Sequence, residues 1–109
     1  MLGLKEEFRE EAYVAYCGSS MTPLFQEGDK LLISFGINQS QLEPGDILLL
    51  KNSDEWISHR LVDLNGKTYL KGDWARELEK IDHFSIWGVV VGYSRKNSAI
   101  RWGTKGQRL

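Results

Sequence analysis

The chain has one cysteine, Cys17, so no internal disulfide can staple it. It also lacks a charge excess: 14 Lys and Arg against 15 Asp and Glu leave a formal net charge of -1, too little to draw in nucleic acid or an anionic membrane. Any partner must therefore be recognised by a local site. The first residues show no basic stretch followed by an apolar one, which leads to the expectation of a cytosolic chain without a leader. No apolar run approaches the roughly 20 residues that span a bilayer, so no membrane anchor of its own is expected. No Cys/His cluster has metal-ligand spacing, and no cofactor is implied.

What is present is enough apolar residue, 41% with 11% aromatic in 109 residues, for one compact core, and a single domain over 1–109 is expected. "LKEEFREEA" sets Leu4, Phe8 and Ala12 at four-residue steps with charge between them, predicting a short amphipathic helix over 1–12. The rest reads as strands. "YVAYC" (13–17), "KLLISF" (30–35), "DILLLK" (46–51), "WISHRLVDL" (56–64), "KTYLK" (67–71) and "IWGVVVGY" (86–93) are short and rich in β-branched or aromatic residues. "EGD" at 27–29 and "PGD" at 44–46 each precede an apolar run, and Asn65-Gly66 lies where a two-residue hairpin turn belongs. A mainly antiparallel sheet follows. "EGDKLLI" and "PGDILLL" read as the same turn-plus-strand device used twice, and "GTKGQRL" (103–109) as a flexible tail.

The chemistry centres on "GSSMTPLFQEGD" (18–29). A serine nucleophile needs a nearby base and donors for the developing oxyanion. The chain has two histidines, His59 in "WISHRLVDL" and His83 in "IDHFSIW", and an unperturbed imidazole titrates close to physiological pH. Spacing does not choose between them.

In order along the chain, "SMTPLFQEGD" (20–29), "PGDILLLK" (44–51), "ISHRLV" (57–62), "YLKGD" (69–73) and "IWGVVVG" (86–92) resemble the motif series of type I signal peptidases and the related LexA-type self-cleaving repressors. The resemblance covers roughly residues 13 to 93 and implies an antiparallel β fold of that kind. It implies Ser20, the serine before the methionine, as nucleophile. It also puts His59 at the place of the base, which is similar to the archaeal and endoplasmic-reticulum enzymes; bacterial signal peptidases and the repressors use lysine there. A lysine base must be strongly desolvated, whereas a histidine needs only a modest environment, so the site can be more open.

Two positions depart from the family pattern. Signal peptidases carry a hydroxyl residue two places before the nucleophile; here it is Gly18, which leaves backbone N–H groups of Gly18, Ser19 and Ser20 to form the oxyanion hole. The acidic segment after "KGD" reads "WARELEKID", so the third catalytic member is chosen among Asp73, Glu79 and Asp82. The resemblance points to Asp73 and the region of Glu79. Asp73 is favoured because it ends a strand-like segment that would hold its backbone, whereas Glu79 has an extra rotatable bond in a charged segment; Asp82 is the runner-up.

The remaining residues receive structural roles. Met21 is placed beneath the nucleophile turn and, with Trp56 and Trp74, at the substrate groove. Cys17 is expected to be buried filler, His83 a surface or packing residue, and Asp29 and Asp46 to bond their own turns. Arg60 is either a salt-bridged neighbour of the base or a positioning residue, and Lys51 and Lys71 are the alternative bases. The function these residues imply is a serine endopeptidase acting on an extended peptide or precursor protein, with a membrane-bound partner left open. The alternatives are a catalytically silent peptide-binding module and a self-cleaving regulator. The latter has only about a dozen residues ahead of its first strand, too few for a helix-turn-helix unit.

Overall fold

Where a Gly-Asp turn hands over to an apolar run, the chain extends into a strand. The computed structural model describes residues 10–36, 38–53 and 55–102. Within them lie eight strands: β1 (Glu11–Ala15), β2 (Lys30–Phe35), β3 (Ile47–Asn52), β4 (Glu55–Leu64), β5 (Lys67–Lys71), β6 (Glu79–Lys80), β7 (Ser85–Arg95) and β8 (Ser98–Arg101). All pairings are antiparallel, in one sheet of order β1-β2-β7-β3-β4-β5-β6 with β8 beside β7.

The helix expected over 1–12 falls mostly outside the described residues. Its final part is strand: Glu11 pairs with Ser34 and Ala12 with Ile33, because the edge of β2 offers a ladder of backbone partners. The tail at 103–109 also lies outside the described residues. Strands β6 and β8 have no counterpart in the sequence reading. One is two residues in a charged segment and the other is exposed throughout, so neither carries the apolar alternation that marks a half-buried strand.

The runs "LLI", "ILLL" and "VVV" are continuous rather than alternating because the central strands are covered on both faces. Leu31, Ile33, Ile47, Leu49 and Val90 face one core, together with Tyr16, Met21 and Phe25. Leu32, Leu48, Leu50, Val89 and Val91 face the other, with Leu61 and Leu70. Phe25 pins the segment after β1 onto the first core: its ring meets Tyr16 and Tyr93 edge-on, each at 5.6 Å between centroids, and stacks on Trp102 at 6.4 Å. Burying such a ring typically contributes about 3–5 kcal/mol against its truncation to alanine.

The two Gly-Asp turns are built alike. Gly28 and Gly45 adopt φ of 95° and 99°, a region that residues with a Cβ rarely enter. The following aspartate reaches back three residues: Asp29 accepts the Gln26 N–H at 2.7 Å and Asp46 the Glu43 N–H at 2.9 Å. Asp29 does more. It is buried, and Arg95 forks onto it at 2.9 and 2.8 Å, tying the turn to β7.

Candidate active site

The β4–β5 hairpin sets the geometry. Asn65 and Gly66 have φ of 53° and 82°, the pair of positive values that a tight two-residue turn requires. That turn fixes the register, with Leu61 opposite Leu70 and Arg60 opposite Lys71. One step further along, His59 stands opposite Gly72. A Cβ on Gly72 would lie 2.7 Å from the Ser20 carbonyl oxygen, 3.0 Å from Ser20 Cβ and 3.3 Å from His59 Nε2. Ser20 and His59 Nε2 therefore border the same space, the one that the missing side chain leaves.

Ser20 is held on both sides. Its carbonyl accepts the Trp74 N–H at 2.8 Å, which ties it to the segment after β5. Beneath it, Met21 is fully buried, its N–H donated to Tyr16 Oη at 3.1 Å and its sulfur accepting the Asp73 N–H at 3.3 Å. This corrects the expectation of Met21 at the groove: it supports the turn from inside and presents no surface to a ligand.

The carboxylate on the histidine is Glu79. Its Oε1 lies 2.6 Å from His59 Nδ1, which leaves Nε2 on the side of Gly72. Sheet parity explains the choice. Glu79 pairs with Leu70, Leu70 with Leu61, and Leu61 is two residues from His59, so all four side chains share one face. Gly72, just past β5, places no side chain beside the ring. Asp73, favoured on sequence grounds, is instead gripped by Arg60, Nε to Oδ1 and Nη2 to Oδ2, both at 2.8 Å. Arg60 follows His59 on β4 and so projects to the opposite face, taking Asp73 with it. Hydrogen bonding to Asp73 holds the Arg60 guanidinium above its ordinary pKa, against the opposing effect of burial. Asp82 and His83 are exposed in a 3-10 turn, Ile81–His83.

The oxyanion expectation narrows. Gly18 N–H is donated to Glu27 Oε1 at 3.2 Å, whereas the N–H groups of Ser19 and Ser20 make no hydrogen bond to described residues. Beside Ser20 runs an open groove of about 460 Å³ between the end of β1 and the β3–β4 hairpin, its walls mainly apolar. Trp56, half exposed, borders it; Trp74 is more exposed still and is absent from the lining. Cys17 is exposed and borders the groove rather than filling the core, because β1 ends at Ala15 and the chain turns outward before Gly18. Lys51 lies over the Trp56 ring at 5.1 Å, and Lys71 Nζ donates to the Gly72 carbonyl at 3.2 Å.

The residues that sequence reasoning missed are Gly72 and Ser58, and it set Glu79 aside. Gly72 was within reach, since a two-residue turn at 65–66 places 59 opposite 72. Ser58 gave no signal, because its environment depends on which face of β4 it occupies.

Compared with family models and with curated proteins, the chain matches none of them. Among the described residues, no group of His, Cys, Asp or Glu side chains could hold a metal ion, and no helix is long and apolar enough to cross a membrane.

Proposed function

We propose that this chain is a serine endopeptidase of the histidine-type signal-peptidase and LexA-like kind. The reading is carried by one observation: Glu79 sits on His59 Nδ1, and His59 Nε2 and Ser20 border the same gap at Gly72. Ser20 Oγ attacks a peptide carbonyl while His59 Nε2 takes its proton, and Glu79 holds the tautomer and stabilises the imidazolium. The N–H groups of Ser19 and Ser20 receive the oxyanion. His59 then returns the proton to the departing amine, and water releases the acyl group by the same base.

Among the described strands β1 ends the sheet order, so its outer edge can take an extended peptide as an added strand, with alternate side chains directed into the groove. Mass spectrometry of a peptide library after incubation tests the reading. Wild type should cleave internal bonds, Ser20→Ala should cleave none with its Tm retained, and Ser19→Ala should lose little. Binding without cleavage by wild type would instead support a silent peptide-binding module.

A further inference from the structure

Ser58 precedes His59 on β4 and projects to the opposite face, where its cross-strand neighbour Leu49 borders the groove. Ser58 also borders it, is only 5% exposed, and its Oγ has no hydrogen-bond partner among the described residues. Leaving a buried hydroxyl unpaired costs about 1–3 kcal/mol, and such groups are rare unless something else completes them. Nearby walls are Val14, Leu31, Leu49, Phe35 and Trp56. A rotation about one side-chain bond would turn the hydroxyl toward whatever occupies the space between them.

Size points the same way. The signal-peptidase resemblance implies small side chains near the scissile bond, but about 460 Å³ falls in the ~300–1,000 Å³ range of pockets that enclose substantial ligands. An alanine methyl would leave most of the apolar wall without contacts, whereas a large side chain would cover it. We propose that the groove selects a tyrosine-like side chain of an extended peptide, with an apolar body against the aromatic walls and a single polar tip. Ser58 Oγ is the hydrogen-bond partner that sets this specificity. The proposal rests on the peptide-processing reading for its location but not for its test.

The test uses acetylated peptides with Tyr, Phe, Leu or Ala scanned through each position, with Kd measured calorimetrically on the non-cleaving Ser20→Ala protein. At one position tyrosine should bind at least about tenfold more tightly than alanine and about tenfold more tightly than phenylalanine. Adding Ser58→Ala should erase the Tyr/Phe difference while keeping Phe ahead of Ala. Its Tm should hold or rise, since an unpartnered hydroxyl is removed. Preference for alanine, no binding by any peptide, a Tyr/Phe difference that survives Ser58→Ala, or a marked fall in Tm would each overturn the inference. Peptides that bind in the expected order but are never cleaved by wild type would refute the peptidase reading and leave the groove specificity standing.

Discussion

His59 and Arg60 are neighbours on β4, and each takes a carboxylate from the segment that follows β5, yet the two pairs are different devices. Arg60 and Asp73 form a two-point fork of guanidinium on carboxylate, and Arg60 also donates to the Gly45 carbonyl at 3.1 Å. It is a clamp that joins the segment after β5 to the second Gly-Asp turn. His59 and Glu79 share a single 2.6 Å contact whose value depends on where the imidazole proton is. The cation of one pair cannot change charge, and the ring of the other can. A well-held backbone favoured Asp73 on sequence grounds, yet Asp73 pairs with Arg60 and Glu79 with His59, because consecutive residues on a strand face opposite ways.

The sharpest way to break this contrast is to neutralise each carboxylate in turn. Glu79→Gln should lower kcat by about 10³–10⁴-fold with Tm nearly unchanged, since an amide can hold the ring in the wrong tautomer. If peptide turnover survives Glu79→Gln and is lost in Asp73→Asn, the two devices have been assigned in reverse.

Next in size is Gly72→Ala. The new methyl would press on a backbone oxygen at 2.7 Å and separate Ser20 from His59. Misplacing reacting groups by about 1 Å costs on the order of 10²-fold, so kcat should fall by that amount while the Arg60–Asp73 clamp keeps the fold. A Gly72→Ala protein with full turnover would show that the gap is not what brings the pair together.

The Asp29–Arg95 fork extends the comparison to a buried carboxylate. Asp29→Asn should destabilise by about 2 kcal/mol, between an exposed pair and a fully buried one, as read from urea unfolding at neutral pH. Hydrogen bonding from Arg95 holds the Asp29 carboxyl below its ordinary pKa, outweighing burial, which raises it. The stabilisation is therefore complete above the unfolded value of about 3.9 and is lost as the pH falls from there through the folded value. The wild-type advantage over Asp29→Asn should shrink in that window. An advantage that stays constant down to pH 2 would refute the linkage.

The smallest effect is expected from Asp73→Asn. Its pair is part-exposed, so about 1 kcal/mol of stability and less than about threefold in kcat should be lost. A loss of turnover beyond tenfold at constant Tm would make Asp73 part of the machinery.

Much of the frame can be read from short stretches of sequence. The six strand-like runs, the glycine in each Gly-Asp turn and the Asn65-Gly66 hairpin are set by local causes: side-chain shape, backbone freedom and turn chemistry act within a few residues. Ser20 and His59 are singled out by the motif resemblance rather than by residue type or spacing, and the hairpin register, continued one step, places His59 opposite Gly72. Tertiary structure decided the rest. A two-residue strand in a charged segment exists only because β5 offers it an edge, and that pairing carries Glu79 to the histidine's face. Likewise Cys17 is exposed and Ser58 buried because of where β1 ends and which face of β4 looks into the groove. Side-chain direction alternates with every residue, so one step of register exchanges one carboxylate for another, and only the assembled sheet fixes that step.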